Sequence, residues 1–485
     1  MIIKHKLLAL ALGLALIPTP HFAAEQDKIL LPDIGDSSGT LISPAQEQEL
    51  GEAFFRSLHS QLSINQDPEI QYYINAIGHH LVANSDTPGY PFHFFVVMEN
   101  DINAFAGPGG YIGVNSGLIL VTEAESELAS VMAHEIAHVT QRHLYRAFEA
   151  ASRLSIPTAV ATLAAILVGT QSPALGQAAI VAAQAGSAQF QINFTRENEE
   201  EADRVGMQTL AGSHYDPRSM PTFFERLQQS TRYVGNNVPE FLRTHPVTVS
   251  RISDSRGRAE SYPYKQFPDS MDYQLARTRL RIISINDAKQ ALEYFQPKLT
   301  QGTSEQRAVA RYGLGLALLA MQKFQDAKDI FSPLIKDFPE QVQFLTALAR
   351  TELEAKNYSS ALAIYEKASS QFSGNDSIKY EYIRALLKAG KPELAKQNLL
   401  ALNSKFQKQP LYLELLAEVY SDLGQPAESH RYLAEYYFAS GQPKAAVTQI
   451  KLAQKEHGLS FQLASILNER LNFFLAELAD ARITR

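Results

Sequence analysis

The pattern of hydrophobic and polar residues changes its period at about residue 265. Beyond that point, apolar residues recur as pairs of helices with a 34-residue period. Three series of residues fall in register at this spacing: Gly315, Ala349 and Ile383; Ala327, Ala361 and Ala395; Phe331, Tyr365 and Leu399. Such units bury their apolar faces by stacking on one another, so the pattern predicts an all-α solenoid with a concave binding surface.

The part before residue 265 predicts helices around a small sheet. Ser43 and Gln46 form a capping box that begins one helix, and Asp67, followed by Pro, begins a second. Thr122 and Glu125 predict the cap of a third, longer helix. Two helices therefore precede the sheet, and a long one follows it.

Aromatic and β-branched residues predict the strands of that sheet. Residues 92–98 form one strand, and residues 102–106 and 111–115 flank a Gly-Pro-Gly-Gly turn as a hairpin. The hairpin comes just before the long helix, so we expect the two to lie close together.

The beginning of the chain is typical of an export signal. Lys4 and Lys6 precede an apolar run over residues 7–17, and the small residues Ala23 and Ala24 follow, although Phe22 is unusual three residues before a cut after Ala24. The run is too short to span a bilayer as an anchor. We expect residues 1–24 to be a signal peptide that is removed on export.

A second apolar stretch, residues 154–195, contains no charged residue. Proline and glycine divide it into two helical pieces, each shorter than the ~20 residues that span a bilayer. We interpret it as a helical hairpin beside the active site that touches membrane or a partner protein. Packing into the core is an equal alternative.

The composition is that of a globular protein with more than one domain. The chain has 485 residues, a formal net charge of −7 and no cysteine. Its Lys and Arg residues are dispersed, so we expect no nucleic-acid partner, and the lack of cysteine excludes disulfides and thiolate chemistry. We place the domains at residues 25–264 and 265–485.

The candidate chemistry lies in the long helix, in the sequence His-Glu-Ile-Ala-His. Residues four apart share a helical face, so His134 and His138 point to one place where a zinc ion could sit. A hydrolytic zinc site uses three protein ligands and leaves the fourth position for water, whose proton Glu135 could take. A helix without any metal is the alternative, so a third ligand matters.

An acidic stretch some sixty residues downstream offers that ligand. Glu199 and Asp203 share a helical face, and Asp203 could accept the free N–H of a ligating histidine and orient it. By chemistry alone, Glu197, Glu200 and Glu201 remain alternatives to Glu199.

HEIAH followed by ExxxD resembles the zinc peptidase family of the CaaX prenyl protease and the HtpX-type membrane proteases. The resemblance implies one zinc ion per chain, with Glu199 as the third ligand and Asp203 in histidine orientation and proton handling. His143 comes five residues after His138 and does not fit a metzincin site. We interpret His143 as structural or as support for a ligand.

The resemblance also implies the fold class. We expect an α+β zincin-like metalloprotease domain, mostly helical with a small sheet, followed by an all-α solenoid that resembles tetratricopeptide repeats. The mechanism implied is attack by zinc-activated water, with Glu135 as the base that later protonates the leaving amine.

The predicted hairpin resembles the segments with which this family holds substrate. Asn103, Ala104 and Phe105 match one segment, and Gly110 and Tyr111 match the other. We expect a substrate strand to add to this edge of the sheet. Glycines that only form a turn are the alternative for single residues, so the hypothesis concerns the edge and not its side chains.

His245 and Arg251 lie in a further segment similar to the family. A His before Pro is held off a helix, so a loop could present His245 to the metal or to the oxyanion. A zinc-bound His245 would keep the enzyme closed until the loop moved. Arg251 could stabilise the tetrahedral intermediate or pair with an acidic neighbour.

Signal, peptidase and repeats in this order resemble the periplasmic members of the family. The resemblance implies degradation of misassembled outer-membrane β-barrel proteins and help with their assembly, with the repeats docking onto barrel-assembly machinery. The rival interpretation is a chaperone or scaffold whose structural zinc is closed permanently by His245. A degenerate protease that carries a peptide-binding repeat module is a third one.

Overall fold

A computed structural model describes four stretches of the chain: residues 42–150, 195–231, 239–402 and 407–483. The predicted signal peptide and residues 154–194 of the apolar stretch lie outside the described residues. Within the described stretches, no helix is both long enough and apolar enough to cross a bilayer.

The N-terminal part is built of nine helices and three strands in the described residues. In chain order they are α1 (Pro44–His59), α2 (Pro68–Ala83), β1 (His93–Val97), β2 (Ala104–Ala106), β3 (Tyr111–Asn115), α3 (Ser116–Val121), α4 (Glu125–Thr140), α5 (His143–Ala150), α6 (Arg196–Gly212), α7 (Ser219–Thr231), α8 (Glu240–Thr244) and α9 (Val249–Glu260). A short 3-10 turn, Pro108–Gly110, joins β2 to β3.

Two of the three predicted helix caps are confirmed. Ser43 and Gln46 form the capping box of α1, and the Asp67 carboxylate accepts two N–H groups at the start of α2. The predicted cap of α4 is wrong, because Ala124 is the N-cap and offers no side-chain acceptor. Thr122 instead turns inward, where its hydroxyl donates to the Ile119 carbonyl.

The sheet has the strand order β1-β3-β2, so β2 lies at an edge. β2 and β3 form the predicted antiparallel hairpin, with Phe105 opposite Gly113. The N–H of Gly107 donates to the Tyr111 carbonyl, and the N–H of Asn115 donates to the Asn103 carbonyl. Because hydrogen-bonded pairs alternate along an antiparallel ladder, the backbone groups of Phe105 also point toward β3. The N–H and C=O groups of Ala104 and Ala106 therefore face away from β3.

The main core of this part surrounds α4. Leu128, Met132 and Ile136 of this helix are fully buried against α2, the sheet and α6. Gly206 of α6 has no room for a side chain, since a Cβ atom would lie 3.1 Å from the backbone of Ala133 and His134. The backbones of α4 and α6 are therefore in contact beside the HEIAH residues.

The C-terminal part is all helical in the described residues. Its helices are α10 (Met271–Ile285), α11 (Ala288–Phe295), α12 (Ser304–Ala320), α13 (Phe324–Asp337), α14 (Val342–Glu354), α15 (Tyr358–Gln371), α16 (Asp376–Lys388), α17 (Pro392–Leu400), α18 (Pro410–Asp422), α19 (Pro426–Ala439), α20 (Pro443–Ala453) and α21 (Phe461–Ile483). The residues of the three 34-residue series are buried, as expected for repeats. The predicted organisation, α+β followed by all-α repeats, is confirmed.

The turns between repeat helices keep the same period. Positive φ angles between 59° and 68° recur every 34 residues, at Gln322, Lys356, Gly390 and Gly424. The left-handed conformation favours glycine, yet two of the four positions carry long side chains. The turn geometry is thus more regular than the sequence.

The repeats contact the N-terminal part through a cluster of buried charges at the start of α2. We call it the helix–repeat cluster, and it comprises Asp67, Glu69, Arg279, Arg350 and Glu381. Arg279 donates to both oxygens of Asp67, at 2.8 and 2.7 Å, and Arg350 donates to Glu381 at 2.6 Å. The cluster pins α2 to α10 and to the repeats.

Candidate metal centre

α4 brings the two histidines of HEIAH together. The Nε2 atoms of His134 and His138 lie 3.0 Å apart, and both side chains are buried. Glu135 is fully buried beside them, and neither of its carboxylate oxygens makes a hydrogen bond to a described residue. Burial raises the pKa of Glu135, while the neighbouring His245 and His134 oppose that rise.

α6 adds carboxylates from the acidic stretch. The Glu199 oxygens lie 3.5 Å from the Nε2 atoms of both His134 and His138. Asp203, one turn further along, has Oδ1 3.0 Å from Nδ1 of His134, on the side of the ring away from Glu199. The structure therefore brings together the residues that the sequence singled out.

The other acidic residues of α6 point elsewhere. Glu197 is exposed, and Glu200 pairs with Arg196 at 3.1 Å on the surface. Glu201 lies against His143, with Oε2 3.0 Å from Nε2. Of the four candidates that chemistry left open, Glu199 is the one that faces the histidines.

His245 approaches from the end of α8. Its Nδ1 lies 2.9 Å from Glu199 Oε1 and 3.3 Å from His134 Nε2, and its Nε2 lies 3.5 Å from Glu135 Oε1. The Phe241 ring stacks on the imidazole with centroids 5.0 Å apart. The backbone N–H of Phe241 also donates to the Ile102 carbonyl, 3.1 Å away, next to the edge strand.

These four side chains fit a metal ion. His134, His138, Glu199 and His245 each offer one ligand atom, and the four atoms lie within 4.8 Å of one another. Imidazole nitrogens that face one another with a carboxylate among them favour a cation in the middle. Four nitrogen and oxygen donors are also what tetrahedral zinc sites use.

The electrostatics of these four side chains and Asp203 also favour positive charge at the site. Burial alone would lower the pKa of His134, but Asp203 and Glu199 outweigh it and raise the pKa to about 9. Burial would raise the pKa of Glu199, but the histidines around it hold its pKa well below the usual range. Both shifts follow from the close approach of carboxylates and imidazoles in a buried site.

Arg251 lies directly behind the carboxylates. It donates to both oxygens of Asp203, at 2.7 and 2.8 Å, and its Nη1 lies 2.8 Å from Glu199 Oε2. Nη1 also donates to the Pro246 carbonyl at 2.9 Å. In this closed arrangement, Arg251 pairs with acidic neighbours, which was one of its two predicted roles.

A second chain of polar side chains, not assigned from the sequence, runs from His138. Its Nδ1 lies 2.9 Å from Nδ1 of His143, which continues to Glu201, and Arg146 donates to the same Glu201 oxygen at 2.7 Å. The five-residue spacing of His138 and His143 was visible, but nothing in the sequence linked Glu201 and Arg146 to it.

The residues expected to hold substrate line the edge next to this site. A small cavity is lined by Ala106 and Gly107 of the edge together with His138 and Val139 of α4. Asn103 is fully buried, and its side-chain amide makes no hydrogen bond to a described residue.

Two of the expected substrate side chains pack elsewhere. The Phe105 ring contacts Phe95, with centroids 5.9 Å apart, and the Tyr111 ring stacks on Phe55 at 5.1 Å. Gly110 has a φ of 73°, and a Cβ atom there would meet the Pro91 carbonyl at 2.2 Å. These three residues therefore shape the hairpin.

Comparison with known families gives independent matches for both parts of the chain. The model of peptidase family M48 matches residues 68–259. Two tetratricopeptide-repeat models match residues 312–376 and 352–419.

Individual relatives match most of the chain. A beta-barrel assembly-enhancing protease from Yersinia pestis is 35% identical over 418 residues, which cover 86% of this chain and 86% of the relative. The protein of that name from Escherichia coli is 34% identical, covering 90% of this chain and 89% of its own. A putative one from Vibrio cholerae is 42% identical over 67% of each chain.

Proposed function

The chain belongs to the beta-barrel assembly-enhancing proteases, which are metalloproteases with an M48 domain and C-terminal tetratricopeptide repeats. On this premise, we propose that it is a periplasmic zinc endopeptidase that acts on outer-membrane β-barrel proteins. The observation that carries the proposal is the buried group of His134, His138, Glu199 and His245, whose ligand atoms lie within 4.8 Å of one another. One zinc ion per chain suits this donor set.

His134, His138 and Glu199 would hold the metal throughout the reaction. Bound zinc would supply a Lewis acid that polarises water and the scissile carbonyl. Glu135 would take the proton from the attacking water and deliver it to the leaving amine. This role is supported by its carboxylate oxygens, which make no hydrogen bond to a described residue, and by its raised pKa, since a higher pKa makes the carboxylate a stronger base.

Asp203 and Arg251 would act through the ligands. The contact of Asp203 with Nδ1 of His134 requires the tautomer that leaves Nε2 free for the metal. Arg251 pairs with both Asp203 and Glu199, which stabilises two carboxylates in a buried site. An oxyanion role for Arg251 would need it to leave these partners.

His245 would be a replaceable fourth ligand that closes the resting enzyme. With His245 in place, the ligand group is complete and buried, so water and substrate have no position at the metal. The same segment is tied to the sheet by the bond between Phe241 N–H and the Ile102 carbonyl. If the segment with Phe241 and His245 moved away, it would release His245 from the metal and uncover the edge strand β2 in the same movement.

The substrate would bind as an extra strand on β2. The outward N–H and C=O groups of Ala104 and Ala106 offer the hydrogen bonds, and Ala106 lies beside His138. The unpartnered amide of Asn103 is a further candidate contact, because a buried amide without a hydrogen bond costs about 1–3 kcal/mol.

The proposed biological role is supported by the names of the relatives and by the predicted signal peptide. Residues 1–24 would direct export to the periplasm and be cleaved there. The substrates would be misassembled outer-membrane β-barrel proteins, and the repeats would dock onto the barrel-assembly machinery. The apolar residues 154–195 would make peripheral contact with membrane or with a partner.

Zinc content and cleavage of an unfolded β-barrel protein test the proposal. We expect about one zinc per chain, cleavage lowered by roughly 10²- to 10⁴-fold in Glu135→Gln, and faster cleavage in His245→Ala. Glu135→Gln should retain zinc and fold, because Glu135 is not a ligand. Zinc without cleavage in wild type and in His245→Ala would instead favour a scaffold closed by a structural zinc.

A further inference from the structure

We propose that His143, Glu201 and Arg146 form a chain that positions His138 as a metal ligand. The inference depends on the proposed zinc site, but it concerns contacts among these residues that no sequence pattern predicted. The chain runs from Nδ1 of His138 to Nδ1 of His143 at 2.9 Å, and from Nε2 of His143 to Oε2 of Glu201 at 3.0 Å.

Donors and acceptors along the chain can be arranged in one consistent direction. A neutral His138 that offers Nε2 to a metal carries its proton on Nδ1 and donates it to His143. His143 accepts at Nδ1, so it carries its own proton on Nε2 and donates to Glu201. Arg146 donates to the same Glu201 oxygen at 2.7 Å, which favours the ionised carboxylate as the end of the chain.

The second histidine ligand has the same kind of support in a shorter form. His134 contacts Asp203 directly through Nδ1, and Arg251 holds Asp203 with two hydrogen bonds. Each of the two α4 imidazoles thus has a carboxylate behind it, and each of these carboxylates has an arginine. His143 lies between His138 and Glu201 and links the two.

The backbone places His143 for this contact. α4 ends at Thr140, and Arg142 turns the chain with a φ of 54°, a conformation that non-glycine residues adopt at a cost. α5 then begins with His143, whose ring meets the His138 ring nearly edge-on at 4.8 Å. His143 is fully buried although it is polar, as expected for a residue that holds a partner in place.

Zinc affinity of the full-length protein tests the chain without relying on catalysis. Glu201→Ala should weaken zinc binding by roughly 10- to 100-fold in competition with a chelator. Glu200→Ala is the matched control, because Glu200 is the adjacent residue of α6 and lies at the surface. Glu201→Gln keeps an acceptor for His143 without the charge and should fall between wild type and Glu201→Ala.

The rise in melting temperature on adding zinc checks the loss of zinc affinity by a second measurement. Positioning predicts that Glu201→Ala loses zinc affinity and gains less stability from added zinc than Glu200→Ala does. Equal zinc affinities in Glu201→Ala and Glu200→Ala would overturn the inference, whatever the melting temperatures. A wild-type protein that binds no zinc would overturn the proposed function itself.

Discussion

Two clusters of charged side chains are buried in the described residues, and they differ in how fully their polar atoms are hydrogen-bonded or paired within the protein. In the helix–repeat cluster, every carboxylate has a guanidinium partner, and Glu69 also accepts from Tyr312 and Thr346. At the metal centre, imidazole nitrogens face one another 3.0 Å apart, and neither Glu135 oxygen makes a hydrogen bond to a described residue. Every carboxylate of the first cluster is held by an arginine, whereas at the second the grouped donor atoms of His134, His138, Glu199 and His245 fit a cation.

The difference separates a structural role from a chemical one. A buried ion cluster with all its partners holds elements together, and it needs no further component. A buried group with surplus acceptors is unfavourable unless a metal or a proton fills it. The comparison predicts that changes at one cluster leave the other intact.

The largest effect is expected from removing a metal ligand. His134→Ala should lose zinc and, with it, cleavage, because only His138, Glu199 and the replaceable His245 would remain to hold the ion. His457→Ala, at an exposed histidine of the C-terminal part, is the control. Zinc analysis and a cleavage assay measure the change, and full zinc content in His134→Ala would remove this residue from the ligand set.

A smaller effect, on stability alone, is expected at the helix–repeat cluster. Arg279→Met leaves the carboxylates of Asp67 and Glu69 buried without their main partner, which should cost about 3–5 kcal/mol of unfolding free energy. Zinc affinity at low temperature should stay as in wild type.

The control for this change is Arg311→Met, at an exposed arginine of α12. Denaturant unfolding measures the difference between the two variants. If Arg279→Met were as stable as Arg311→Met, the cluster would not be what holds the repeats to α2.

The smallest effect is expected at Asn103. Asn103→Leu replaces an unpaired buried amide by an apolar group of similar size, so the free energy of unfolding should stay the same or rise. If the amide binds substrate, cleavage efficiency should fall roughly 2- to 10-fold, the worth of one hydrogen bond. Lower stability with unchanged cleavage would show that Asn103 has a structural role instead. The control is Asn100→Leu, at an exposed site.

Local patterns predicted those features that depend on a few residues close in sequence. HEIAH places two ligands on one helical face, and the 34-residue spacing identifies the repeats, because both depend on the regular geometry of helices. The hairpin followed equally from its glycine turn. Glu199 needed a family resemblance, since the neighbouring glutamates have the same chemistry.

Features that join distant residues could not be predicted. Arg279 meets Asp67 across 212 positions, and Glu201 meets His143 across 58. Such pairs depend on how helices pack, which no local pattern records. The cap of α4 was wrong for the same reason, because Thr122 contacts the Tyr273 hydroxyl, 151 positions away, at 2.8 Å.

The most direct test of the account is the zinc coordination of the full-length protein, measured by X-ray absorption at the zinc edge. Wild type and His245→Ala are compared under the same conditions. The account predicts one zinc per chain, with three imidazole ligands in wild type and two in His245→Ala. An unchanged number of imidazole ligands in the variant, or no zinc in wild type, would contradict it.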